Sequence, residues 1–315
     1  MSSSTPSPTP AAAPYRVWLL LNELPSGLAE SVHGWLATFL QGVEAVASSD
    51  EGETASWSVR VPGFSERDGQ DARLVVRATE EPSRAPELRE AIKQTWDWPD
   101  AVEACMAHTA TLSVEDASPA PLPGRDRVAL MHGAVRGLLR GLVAGGGATG
   151  ENPQQISPTT LADSPLLALH WEPSRRILEP SHYEQVVQAG DWLYGGAVNV
   201  RLYQIEGGLP QETVMDTLGL APLGLPDLQV HFVGLDPNAV AEWLYGYAHY
   251  LFQHGDIIQD GHTVEGVNAG ERWPVRHEPG LVEPERTVLN AHPNSSSPVE
   301  LEQNGGANNE PSGPA

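Results

Sequence analysis

Residues 227–255, DLQVHFVGLDPNAVAEWLYGYAHYLFQHG, predict a buried strand that leads into an amphipathic helix. Asp236 is the expected N-cap, Pro237 suits the first helical position, and Gly255 is a typical stop. The apolar side chains that recur at helical spacing are Val240, Trp243, Leu244, Tyr247 and Leu251. The helix is therefore expected to pack through this face and to bury Trp243.

Strand-like and helix-like patterns alternate upstream of this segment. The nearly continuous apolar run Tyr15–Asn22 is typical of a buried central strand. Ser56–Gly63 and Ala72–Thr79 alternate apolar and polar residues and predict an antiparallel hairpin. The whole order predicts an α+β fold with mixed, largely antiparallel sheets and helices packed on one face. Because both halves carry a helix–strand–strand–helix pattern, two similar halves are a hypothesis.

Composition sets the expected domain limits. Residues 1–14 are Ser, Thr, Pro and Ala, which bury too little apolar surface to fold, so a disordered tail is predicted. Residues 280–315 are predicted to be an acidic and polar disordered tail. A single globular α+β domain is expected over residues 15–279, with a candidate sub-domain break near 145–160.

The charge balance excludes some classes of partner. The 315 residues hold 18 Lys and Arg against 41 Asp and Glu, a formal net charge of −23. Such a chain repels phosphate backbones, so no nucleic-acid ligand is expected, whereas a basic protein partner would be attracted. No apolar run approaches the roughly 20 residues that span a bilayer, and the first residues lack the pattern of a secretion signal. We therefore expect a soluble cytoplasmic protein without a membrane partner.

Three further motifs are better explained by structure than by chemistry. Residues 145–150 fit G-x-G-x-x-G, but they follow a helix, whereas a dinucleotide site needs them after a strand, so a loop is predicted. The single cysteine, Cys105, lies on an apolar helix face and is expected to be a core residue, although His108 is near. His170 and His231 lie in predicted strands, where hydrogen-bonded, half-buried imidazoles are expected. No metal-ligand spacing is present, so neither a metal nor a cofactor is expected.

The segment DIIQDGHT, residues 256–263, groups the side chains that are the main candidates for catalysis or binding. Asp256, Asp260 and His262 are candidates for a catalytic acid–base set. Asp260, Gly261, His262 and Thr263 are candidate binding residues, which could donate hydrogen bonds to a ligand over the turn. The favoured interpretation is a structural turn, because Gly accepts positive φ and Asp bonds loop main chain.

Three elements in this region resemble a known family. They are the GLPDLQV strand at Gly224–Val230, the helix that starts with Asp-Pro at Asp236–Leu251, and the G-D-x-x-x-D-G-x-T pattern at Gly255–Thr263. This combination is similar to the bacterial domain of unknown function 4261, over about Tyr15–Arg272. His262 stands where that pattern has a small or hydroxylic residue. Residues 221–263 also resemble suppressor-of-fused-like domains, which are interaction modules.

Two hypotheses of function follow, with a third kept open. The first is a non-enzymatic cytoplasmic protein-interaction domain of immunity or regulatory type, whose partner is another protein. The second is a hydrolase or other enzyme that uses Asp256, Asp260 and His262. A self-associating structural domain is the third, and the sequence does not set the oligomeric state.

Overall fold

The computed structural model describes residues 15–51, 54–64, 71–83, 86–119, 121–144, 156, 158–205 and 207–293. It confirms the α+β prediction, with two mostly antiparallel sheets and helices. The chain forms two compact units: the first runs to Arg201 and includes Thr217–Leu225, and the second holds Leu202–Asp216 and the chain from Pro226 on. The predicted tail at residues 1–14 lies outside the described residues, as does most of the predicted break at 145–160.

The first unit is built on a seven-stranded antiparallel sheet. In spatial order its strands are β2 (Glu44–Glu51), β3 (Thr54–Val61), β4 (Ala72–Thr79), β5 (Ala110–Asp116), β1 (Tyr15–Leu21), β6 (Leu166–Trp171) and β7 (Arg176–Leu178). Its helices are α1 (Leu28–Ala37), α2 (Pro86–Lys93), α3 (Ala101–Ala107), α4 (Gly124–Ala144), α5 (Pro158–Ala162) and α6 (Pro180–Gln188). A π-helical turn follows at Leu193–Ala197 and a 3₁₀ turn lies at Ala221–Leu223.

Helices cover both faces of this sheet, so the prediction of helices on one face is wrong for the first unit. Leu20 of β1 clusters with Leu88 of α2 and Cys105 of α3. Tyr15 of the same strand lies under the guanidinium of Arg127 from α4, 5.5 Å from the ring centroid. Successive side chains of a strand point to opposite faces, so Tyr15 and Leu20 belong to different faces. The near-continuous apolar run of β1 reflects burial on both sides.

The second unit is built on a six-stranded sheet. In spatial order its strands are β11 (Thr263–Glu265), β12 (Arg272–Pro279), β13 (Thr287–Ala291), β10 (Asp227–Val233), β9 (Glu212–Leu218) and β8 (Asn199–Gln204). The helix α7 (Pro237–His254) packs against β10. Its predicted N-cap is confirmed, because the Asp236 carboxylate accepts a hydrogen bond from the Asn238 main-chain N–H at 3.0 Å. Trp243 is buried as predicted, with 9 % of its surface exposed.

The second unit continues past the predicted domain end at Pro279. Within the segment assigned to a disordered tail, Thr287–Ala291 forms β13, which pairs in parallel with β10 and antiparallel with β12. Val288 and Leu289 are fully buried there. The prediction was wrong here because polar, proline-rich flanks hide a five-residue strand whose partners are distant in sequence. Residues 294–315 lie outside the described part.

A buried ion cluster ties β13 to the rest of the sheet. The Arg286 guanidinium reaches Asp216 Oδ2 of β9 at 2.5 Å and Asp227 Oδ2 of β10 at 3.0 Å. Both carboxylate side chains are fully buried. Removal of one partner from such a buried cluster costs far more than a surface ion pair contributes. In the part of the chain that the structure describes, no helix is long and apolar enough to cross a membrane.

Candidate functional site

An open groove in the second unit is the main candidate site. Its cavity has a volume of about 560 Å³ and lies between one face of α7 and the chain from Ile257 to Arg272. We call it the aromatic groove, and its lining residues are Trp243, Gly246, Tyr247, Tyr250, Ile257, Ile258, His262, Thr263, Val264, Glu265 and Arg272. Its size and apolar lining fall within the usual range of ligand sites.

Three aromatic side chains of α7 form one wall of the groove. Trp243 and Tyr247 have ring centroids 4.5 Å apart with planes 42° apart, and Tyr247 and Tyr250 lie 6.4 Å apart, edge to face. The spacing of four and three residues brings these rings to one side of the helix. Tyr250 is 41 % exposed and Ile257 is 48 % exposed, so apolar surface faces solvent at the groove.

The aromatic wall is fixed to the edge strand β11. Trp243 Nε1 donates a hydrogen bond to the main-chain oxygen of Glu265 at 2.6 Å. The Tyr247 hydroxyl accepts from the main-chain N–H of Glu265 at 3.0 Å. Burial raises the pKa of Tyr247, so its hydroxyl keeps its proton at neutral pH. Both main-chain groups of Glu265 are therefore occupied by side chains of α7.

Thr263 differs from Glu265 on the same edge. The His262 carbonyl accepts from Val275 N–H and Gly266 N–H donates to the Glu271 carbonyl, each at 3.0 Å, so alternate residues of this segment face β12. By this alternation, the N–H and C=O of Thr263 point away from β12, on the groove side of the strand. β11 is the edge strand of the described sheet, so no other strand pairs with that side of it.

The Asp260–Gly261 turn has the geometry that the sequence predicts. His262 N–H donates to the Gln259 carbonyl at 3.0 Å, and Gly261 has φ +82°. A positive φ at the third residue of a four-residue turn is the pattern of a type II turn, which favours glycine there. The Gly261 N–H also donates to the Val275 carbonyl at 3.0 Å, so the turn is anchored on β12.

The two predicted acidic residues surround a histidine that the sequence analysis did not select. Asp260 Oδ1 accepts hydrogen bonds from the main-chain N–H and the Nδ1 of His277, both at 2.7 Å. Asp256 Oδ1 lies 3.6 Å from His277 Nε2. The main-chain N–H of His277, followed by its imidazole, lowers the pKa of Asp260. His277 lies in β12, a strand that the sequence does not predict, so no sequence pattern placed His277 near Asp260.

His262 lies apart from that pair. Its Nδ1 accepts a hydrogen bond from Gln259 N–H at 3.3 Å, and in the described residues no hydrogen bond or ion pair joins it to Asp256 or Asp260. His262 and Thr263 line the aromatic groove, whereas the two carboxylates are absent from its lining. The predicted residues therefore lie in two places. His262 and Thr263 line the aromatic groove, and Asp256 and Asp260 lie around His277.

The remaining candidates from the sequence are structural or lie outside the described residues. Cys105 is buried, and burial raises the pKa of its thiol to about 12. His108 Nε2 accepts from Ser83 N–H at 2.8 Å and its Nδ1 bonds the Cys105 carbonyl, so the imidazole is occupied. Residues 145–150 are outside the described part of the chain. Within that part, no group of three His, Cys, Asp or Glu side chains could hold a metal ion.

One comparison with known proteins finds a match. Residues 216–291 match a family described as a domain of unknown function (DUF4261). This confirms the predicted family over the segment that contains the aromatic groove. The match does not cover the predicted extension back to Tyr15, and it continues beyond Arg272 to the last residue of β13. No curated protein and no solved structure matches this chain.

Proposed function

We propose that this chain, which carries a DUF4261 domain at residues 216–291, is a non-enzymatic protein-interaction protein that binds its partner in the aromatic groove. The observation that carries the proposal is the exposed aromatic and aliphatic wall of a cavity of about 560 Å³. Aromatic side chains dominate the energetics of protein interfaces because they bury large areas and lose little conformational freedom. A regulatory or immunity-type role in the cytoplasm is part of this proposal.

The polar contacts of the groove support binding over catalysis. Asp260 is hydrogen-bonded to His277, and within the described part of the chain no carboxylate is bonded to His262 to orient its imidazole for proton transfer. An acid–base mechanism needs a base within hydrogen-bond reach of an orienting group and of the substrate. The groove offers apolar surface with polar groups at its rim, which is the composition of a recognition site.

Gly246 provides a way to test the proposal without disturbing the fold. It lies in α7 on the groove, and no atom lies within 4 Å of the position that a Cβ would take. Gly246→Leu would therefore fill the groove and leave the packing of the helix intact. Gly34→Leu is the matched control, because Gly34 lies in helix α1 of the first unit with equally open surroundings.

The test is capture of a partner from the native host by the immobilised full-length chain. We expect a protein that is retained by wild type and by Gly34→Leu and is lost from Gly246→Leu. The purified partner should then show the same order of affinity. If all three chains capture the same proteins equally, the groove is not the binding site and the proposal is wrong.

A further inference from the structure

We infer that the aromatic groove binds an extended segment of a basic protein, with an arginine or lysine side chain against the Tyr250 and Tyr247 rings. This inference rests on the proposed function and adds the chemistry of the partner. It is drawn from the orientation of the rings, the charge around the groove and the main-chain groups of Thr263.

The ring arrangement suits a cationic side chain. Tyr247 and Tyr250 contact each other edge to face, with planes at 71° and centroids 6.4 Å apart, and Tyr250 is 41 % exposed, so a cation can approach the Tyr250 ring from solvent. Cations are attracted to aromatic faces within about 6 Å, and long aliphatic stems of Lys and Arg also pack on apolar surface. The exposed side chain of Ile257 extends this apolar surface for the stem.

The charge of the second unit favours the same partner. Residues 226–293 contain ten acidic and three basic residues. At the groove, the Glu265 side chain is 76 % exposed, and among the described residues its Oε1 is the oxygen that is bound, by Arg272 at 3.0 Å. Its second carboxylate oxygen is open to another cation. An acidic ligand would meet the net negative charge of this unit, so a basic segment is the complementary one.

The main chain of β11 favours an extended peptide over an isolated cation. Thr263 presents one N–H and one C=O on the groove side of an edge strand. A residue of an added peptide strand can accept a hydrogen bond from this N–H and donate one to this C=O. Peptide recognition by strand addition uses such paired main-chain hydrogen bonds. Because α7 side chains occupy the corresponding groups of Glu265, this pairing is limited to the Thr263 end of the strand. A partner residue paired with Thr263 would place its neighbours over the aromatic wall.

The test uses three fluorescein-labelled hexapeptides with blocked ends, in which valine alternates with arginine, glutamine or glutamate. Binding to the full-length chain is measured by fluorescence anisotropy at low and at physiological salt. We expect the arginine peptide to bind about 10-fold more tightly than the glutamine peptide, with a weaker preference at higher salt. The glutamate peptide should bind most weakly. Gly246→Leu should weaken the arginine peptide by about 10-fold, and Gly34→Leu should leave it unchanged.

Two charge substitutions at the rim should change the affinity for the arginine peptide in opposite directions. Glu265→Gln should weaken the arginine peptide by about 2- to 5-fold and Arg272→Gln should strengthen it, because these groups attract and repel the same cation. Tyr250→Leu retains an apolar side chain but removes the aromatic ring, so it should weaken binding of the arginine peptide by about 2- to 5-fold. N-methylation of the central peptide amide should weaken binding if that residue pairs with the Thr263 carbonyl.

Three outcomes would overturn the inference. They are equal affinity for the arginine and glutamine peptides, insensitivity of the arginine peptide to Gly246→Leu, and absence of binding by the arginine peptide up to about 1 mM. The proposed function fails separately, when no partner captured from the host depends on Gly246. A neutral or acidic partner that wild type captures and Gly246→Leu does not would support the groove as the binding site. It would contradict the inference that the bound segment is basic.

Discussion

At the scale of single residues, burial controls the protonation of two histidines in the first unit. Burial lowers the pKa of His132 to about 3 and that of His170 to about 4. His132 is hydrogen-bonded on both sides, by the Tyr183 hydroxyl and the Trp192 carbonyl. His170 Nε2 has no partner in the described residues, although the sequence predicts a half-buried, hydrogen-bonded imidazole. The alternation of β6 predicts that His170 lies on one face, but not that helices bury this face.

Because His170 is neutral when folded and protonates near pH 6.5 when unfolded, its contribution to stability is complete above pH 6.5 and is lost as the pH falls towards 4. Wild type should lose about 2 kcal/mol through this group between pH 8 and pH 5. His170→Leu, of similar volume, should remove that contribution and make the pH dependence shallower, while the contribution of His132 remains. Urea unfolding of both proteins at several pH values measures the difference. Parallel curves for the two proteins would show that His170 is not the titrating group.

At the scale of elements, the sequence predicts those whose apolar periodicity is strong and local. The strands β1, β3, β4 and β10 and the helix α7 lie where the patterns indicate. β2 is missed because EAVASSDE is an exposed edge strand that has no apolar face. β12 is missed because Pro274 interrupts its pattern. The aromatic groove is missed because Trp243 and Tyr247 fit a core face, and only the position of β11 shows which rings remain accessible.

The helix α7 carries the buried side chain of Trp243 and, at Gly246, a position with open surroundings. Substitutions at these two positions should change the free energy of unfolding in opposite directions. Trp243→Ala removes a buried ring that packs on Trp273, with centroids 5.1 Å apart, and leaves the Glu265 carbonyl without its donor. It should lower the free energy of unfolding by roughly 3–5 kcal/mol. Gly246→Ala should raise it by up to about 1 kcal/mol, since Ala is the better helix former and the added methyl meets no atom. Denaturant titration tests both. An unchanged midpoint for Trp243→Ala would contradict this packing.

At the scale of the whole molecule, the second unit depends on residues beyond Pro279, where the sequence placed the domain end. A chain that stops after Pro279 lacks β13, which separates β12 from β10 in the sheet. It also lacks Arg286, whose guanidinium contacts the buried carboxylates of Asp216 and Asp227, and loss of a partner from a buried ion pair costs roughly 3–5 kcal/mol. A chain that stops after Pro293 keeps every described element.

We therefore expect the chain ending at Pro293 to melt like the full-length protein and the chain ending at Pro279 to lose the second unit. No strand of the seven-stranded sheet lies beyond Leu178, so the shorter chain should keep part of its far-ultraviolet circular dichroism while the Trp273 environment changes. Thermal melts followed by circular dichroism and by tryptophan fluorescence separate the two effects. Arg286→Met in the full-length chain should reproduce the loss in part, because it removes the cation and retains β13. Full stability of the chain ending at Pro279 would mean that β13 contributes nothing to the sheet, and the proposed dependence of the second unit on it would be wrong.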